Sequence, residues 1–197
     1  TRRSSDLYCE AEVIKALVVS LVRLHNSALQ DGIVLLSPYS KQLEVLSDMC
    51  ARVPEMSHVS ISTSTIDSMQ GAETGIIIMS TVRSNPRSEL GFLLDYRRVN
   101  VGMTRARFSL IVVGNSQTLE SHRAGEGGSK SSNEDHELWR AFVAYCKDES
   151  TAYTHYVSPT GRNVSDATVA RELFPESIAS SGIRWDHPRF QVVKKNE

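Results

Sequence analysis

Apolar residues recur at helical spacing at Ile14, Leu17, Val18, Leu21 and Leu24, which predicts an amphipathic helix over roughly 9 to 29, ending near Asp31-Gly32. The short apolar run Ile33 to Leu36 then reads as a strand. Ser37-Pro38 supplies a cap and a first residue for a second helix, which Leu43, Val45, Leu46 and Met49 carry to about Arg52. Val59 to Ile66 and Gly75 to Val82 read as strands, the second a nearly unbroken apolar run of the kind a sheet covered on both faces requires. An arginine-rich segment, helical over 96 to 106, leads into a further strand, Phe108 to Val113, which stops at Gly114-Asn115. Leu138, Trp139, Phe142 and Tyr145 mark the packing face of a last helix, from about Glu134 to Lys147. Strands alternating with helices in this order predict an α/β domain with a mainly parallel sheet.

Ligands of such sheets gather at the carboxyl edge, where strands give way to loops. Four groups of chemically distinctive residues are expected there: Ser37 to Tyr39, Asp67 to Glu73, Arg83 to Asn85, and the arginine helix. From Ser121 to Asp135 the composition turns to Gly, Ser and charge, which predicts a flexible insertion. We expect a domain over 1–149 carrying that insertion, followed by a polar, irregular extension over 150–197.

Composition narrows the function classes. A chain of 197 residues with 40% hydrophobic content can build one substantial core. No run of 18 apolar residues and no targeting segment occurs, so no membrane partner is expected. Cys9, Cys50 and Cys146 are odd in number and lack metal-ligand spacing, which predicts neither disulfides nor zinc, and a reducing, intracellular setting in cytoplasm or nucleus. The first residue is Thr1, so a longer parent polypeptide is expected. The formal net charge is −1, yet Arg83 to Arg107 holds six arginines against Glu89 and Asp95. The bland account is a solvated arginine face. The alternative is an anion site, because guanidinium groups hold phosphate oxygens in bidentate geometry, and Arg98 and Arg105 would lie two turns apart on one helix face.

Other chemistries fall away on inspection. Gly125 to Ser131 looks faintly like a phosphate loop, but Ser129 and Ala124 stand where that loop needs glycine. The six histidines make no helical pair for zinc, no Gly-x-Ser-x-Gly elbow is present, and no metal site is expected. Asp67 reads as a turn cap. Glu73, close behind Gly71, has a carboxylate able to accept hydrogen bonds from a ribose.

Taken in order, Ser37-Pro38-Tyr39-Ser40-Lys41-Gln42, Thr65-Ile66-Asp67-Ser68-Met69-Gln70-Gly71-Ala72-Glu73, Arg83-Ser84-Asn85 and Arg97 to Arg107 resemble the later motifs of superfamily 1 helicases. The likeness is to the branch containing the nonsense-mediated-decay helicase and senataxin, and it covers roughly residues 4 to 119. It implies a RecA-like fold of the P-loop NTPase class, specifically a second RecA-like domain without its own phosphate loop. Such a domain would close on a first RecA-like domain around ATP and Mg2+, which that first domain would mainly bind, while both grip single-stranded RNA or DNA.

By the same resemblance Arg105 is the arginine finger, and Gln70, Gly71 and Glu73 form the nucleotide loop. Pro38, Tyr39, Thr65, Arg83, Ser84 and Asn85 fall at or near the nucleic-acid track, Tyr39 being equally open to a packed role at the core edge. With no phosphate loop and no Asp-Glu pair for magnesium, the chain by itself is expected to be inactive. Leu7-Tyr8 stands where the family often carries Asn followed by Arg. That departure, with the insertion and the extension as surfaces for other proteins, supports a second expectation: a degenerate helicase domain retained as a protein-binding scaffold.

Overall fold

The computed structural model describes residues 2–23, 27–83, 90–121, 133–147, 152–155 and 190–193. Its elements are α1 (Arg2–Arg23), β1 (Ile33–Leu36), α2 (Ser40–Ala51), β2 (Ile61–Ser64), β3 (Thr74–Ser80), α3 (Tyr96–Met103), β4 (Ala106–Val113), α4 (Ser116–Ser121), α5 (Asn133–Lys147), β5 (Ala152–His155) and β6 (Phe190–Val193). Four short 3-10 turns intervene, among them Asp67–Met69 and Gly91–Leu94. β1 to β4 form one parallel sheet in the order β2-β1-β3-β4. The fold class is the expected one: α/β and RecA-like, a parallel sheet flanked by helices.

The alternation of side chains along a strand divides the core in two. Ile33, Leu35, Ile76 and Ile78 point to one face, where Ile14, Leu17 and Val18 of α1 and Leu46 of α2 cover them. Val34, Leu36, Ile77, Met79, Leu110 and Val112 point to the other, against Val99 of α3 and Trp139 and Val143 of α5. All seven positions of β3 are buried, which is why its sequence shows no polar alternation. Gly102 lets α3 approach the sheet: a Cβ there would lie 2.8 Å from Leu36 Cδ2.

Several boundaries differ from expectation. The first helix starts at Arg2 and its described part ends at Arg23, with a 3-10 turn over Ser27–Asp31. Ser37 caps no helix. Its buried hydroxyl donates to the Ser80 carbonyl at 3.1 Å, tying β1 to β3, and α2 begins at Ser40 behind Tyr39, whose side chain makes no capping bond. The arginine helix stops at Met103 with Thr104 as its C-cap, the Thr104 hydroxyl donating to the Asn100 carbonyl (2.9 Å), and β4 starts at Ala106. Arg105 is therefore outside the helix and does not share a helix face with Arg98. On α5, Trp139, Val143 and Cys146 form the inner stripe, while Tyr145 is exposed. Burial pushes the Cys146 thiol up to about 12 and raises that of Cys50, leaving both as neutral packed groups. The region expected to be irregular contains an antiparallel β5–β6 ribbon, with β6 beside β4. Most of the expected insertion, 122–132, lies outside the described residues. No described helix is long and apolar enough to cross a membrane.

Gly114 follows β4 where the chain leaves no room. A Cβ at this position would sit 2.1 Å from Thr81 Oγ1, itself fully buried. Gly114→Ala is expected to cost about 1–3 kcal/mol of stability by overpacking, with partial recovery in Gly114→Ala/Thr81→Ala, as read by equilibrium denaturant unfolding.

Candidate functional site

At the carboxyl edge of the sheet, loops leaving β1, β2 and β3 bring together Pro38, Tyr39, Thr65 and Arg83. Tyr39 is half-buried. Its hydroxyl donates to the Leu90 carbonyl (3.3 Å) and accepts from Arg83 Nε, while the Arg83 guanidinium lies over the ring, 4.9 Å from its centroid. Tyr39 thus has the packed role and still forms the wall of the edge. Thr65 uses its hydroxyl on the following turn, accepting from the Ser68 amide at 3.2 Å and pairing with Ser68 Oγ at 2.8 Å. Ser84 and Asn85 lie outside the described residues.

The expected nucleotide residues occupy the opposite edge, which corrects their placement. Glu73 immediately precedes β3 and Arg105 immediately precedes β4, so both stand at the amino ends of strands. They are neighbours there: the Thr74 amide donates to the Arg105 carbonyl at 3.1 Å, and a register shift between Thr74 and Ile76 marks the same rim. Gln70, Gly71 and Glu73 are exposed, and Gly71 takes φ +79 with no atom within 4 Å of a built Cβ. The backbone of this turn is open to a ligand. β3 spans the sheet, so the two edges are separated by about 20 Å.

The nine residues 65–73 join the edges, since a parallel sheet forces the chain to return the full strand length between β2 and β3. No α-helix makes this return, only the Asp67–Met69 turn. Asp67 caps nothing. Its carboxylate pairs with Arg98 Nε at 3.1 Å, fastening the connection to α3, while Asp95 caps α3 by accepting from the Arg98 amide (3.3 Å).

These pairings sort the arginines. Arg98 is shared between Asp67 and Asp95, and Arg107 pairs with Asp31 at 3.0 Å. Among the described residues no carboxylate pairs with Arg105 or Arg83. Half-buried Arg105 donates from Nε to the Val101 carbonyl (3.2 Å) and from Nη2 to Thr104 Oγ1 (3.2 Å), contacts that orient the guanidinium without neutralising it. No group of metal ligands occurs among the described residues.

Sequence reasoning missed Glu10. This residue is 2% exposed, and its carboxylate accepts from Ser80 Oγ and from the Val82 amide at 3.0 Å. Val82 is the one described non-glycine residue with positive φ, at 59, a conformation costly for a β-branched side chain. Glu10 therefore holds the strained exit of β3 immediately before Arg83. A signal was present: Glu10 is four residues before Ile14 and seven before Leu17, in register with the buried stripe of α1.

A family model described as AAA domain matches residues 2–117. Regulator of nonsense transcripts 1 of Dictyostelium discoideum is 31% identical over 144 residues, which is 72% of this chain and 10% of that protein. DNA polymerase alpha-associated DNA helicase A of Saccharomyces cerevisiae is 43% identical over 46% of this chain and 13% of its own length. DNA-binding protein SMUBP-2 of Mesocricetus auratus is 36% identical over 53% of this chain and 11% of its length. The chain spans 10 to 13% of the length of these relatives.

Proposed function

The chain belongs to the AAA domain family as a superfamily 1 helicase domain of the nonsense-mediated-decay helicase and senataxin branch, and from that premise we propose that it is the second RecA-like domain of an ATP-driven translocase on single-stranded RNA. The domain occupies 1–149 and 150–197 is its extension. The observation that carries this reading is the pair of opposite edges, with Arg105, Glu73 and the open Gly71 turn at one and Tyr39, Thr65 and Arg83 at the other, joined by residues 65–73.

The residues at the amino edge suit a nucleotide. Glu73 offers its carboxylate to ribose hydroxyls, the Gln70-Gly71 turn lets backbone approach a phosphate, and Arg105 supplies fixed positive charge where the leaving phosphate becomes most negative. By the family resemblance, magnesium would be held mainly by the first RecA-like domain. At the carboxyl edge, Arg83 and small hydroxyls suit phosphate contact without base selection. Movement of the 65–73 connection when the domains close would pass from the Glu73 end to the Thr65 end and alter the grip on the strand.

ATP turnover with and without single-stranded RNA, in the full-length polypeptide and in residues 1–197 alone, tests this function. RNA-stimulated turnover in the first and none in the second is the expected result. Turnover by the isolated chain removes the reading. A full-length polypeptide inert with ATP and with both RNA and DNA, yet still holding a protein partner, replaces it with the scaffold.

A further inference from the structure

Phe92 is 58% exposed, although the turn that carries it is anchored by buried neighbours. Its neighbours Leu90 and Leu93 are fully buried, and the Leu93 carbonyl accepts from Trp139 Nε1 at 2.8 Å in the core. The ring is held outward by packing, not left out by a loose loop. It stands edge-on to Tyr39, with centroids 5.6 Å apart and planes at 67°, and Tyr39 in turn lies under the Arg83 guanidinium. Gly91 makes this assembly possible: it takes φ +57, and a Cβ there would fall 2.2 Å from Arg83 Nη2 and 3.2 Å from the Tyr39 hydroxyl.

Resting on the reading of the carboxyl edge as a single-strand track, we propose that Phe92 is a base-stacking platform in that track, taking one nucleobase of the bound strand against its free face. Single-strand sites combine backbone-tracking positive charge with aromatic faces on which bases stack, tolerant of sequence because every base has a π-face. Arg83 and Phe92, both packed against Tyr39, provide that combination. One ring contact cannot cover both faces of Phe92, its 58% exposure leaves surface for a base, and the anchored turn means that little ordering entropy is lost when one arrives.

The test compares binding of single-stranded oligouridylate, and of an abasic strand of equal length, to the full-length polypeptide and its variants. Phe92→Ala is expected to weaken oligouridylate binding about tenfold and to abolish the preference for the base-bearing strand, with at most a small fall in thermal midpoint from the lost contact with Tyr39. Phe92→Trp retains affinity, and its indole fluorescence is quenched when the base-bearing strand is added. If Arg83→Ala weakens binding while Phe92→Ala leaves affinity and base preference intact, the track stands and the platform is wrong. If the unaltered polypeptide binds no single strand, the track itself fails and the platform with it. Loss of a protein partner in Phe92→Ala, with strand affinity unchanged, overturns the platform in favour of a protein contact.

Discussion

Replacing Arg105 by alanine in the full-length polypeptide will lower strand-stimulated ATP turnover by about 10³-fold or more, the scale on which an arginine finger contributes to phosphoryl transfer. The loss should fall on kcat with little change in nucleotide affinity, because charge at the leaving phosphate develops only in the transition state. Arg105→Lys should recover only a small part, since an ammonium on a flexible stem does not reproduce the planar fork that Val101 and Thr104 orient. Strand affinity measured without nucleotide should be unaffected, because the proposed track lies at the other end of β3. Turnover that survives Arg105→Ala would remove the finger assignment. Loss of turnover together with loss of nucleotide-free strand binding would indicate a general disturbance of the fold.

That separation of effects follows from a feature the amino-acid pattern did not show. The apolar runs Ile33–Leu36 and Ile76–Met79 announce buried parallel strands directly, since a short, continuous hydrophobic run bounded by glycine and polar residues must be covered on both faces. The chemistry-bearing residues were equally visible as types, with Glu73 and Arg83 read beside strands and Arg105 read inside a helix leading to one. Which strand end each belongs to was not visible. Residues 65–73 follow β2 and precede β3 at once, and only the parallel pairing of both strands with β1 places Thr65 and Glu73 at opposite edges. Contacts made by polar side chains at a distance were hidden for the same reason. Ser37 suits a helix cap by type, and Asp67 suits a turn cap, yet each is engaged by a partner remote in sequence, Ser80 and Arg98 respectively. Local rules assign such residues to local partners, and tertiary packing reassigns them.

Glu10 is the extreme case of this reassignment, and its substitution should couple stability to strand binding. Glu10→Ala would leave the buried Ser80 Oγ and the partly buried Val82 amide without their acceptor, a loss of about 2–6 kcal/mol at roughly 1–3 kcal/mol for each orphaned group. Glu10→Gln keeps one carbonyl oxygen and nearly the same volume, so its cost should be nearer 1 kcal/mol. The second variant is the informative one because most of it stays folded. Val82 holds φ 59 under the pull of that single acceptor. With the pull weakened, the strained residue can relax toward negative φ and carry Arg83 off the Tyr39 ring. We therefore expect Glu10→Gln to weaken single-strand affinity several-fold while ATP affinity, assigned by the proposal to the far edge, is preserved, as read by parallel strand and nucleotide titrations. A purely structural Glu10 would instead lower the unfolding free energy and leave both affinities of the folded protein untouched. Val82→Gly in the Glu10→Gln background separates the two accounts further. Glycine adopts positive φ without strain, so if strain at residue 82 displaces Arg83, the double variant regains strand affinity even though the carboxylate is still missing.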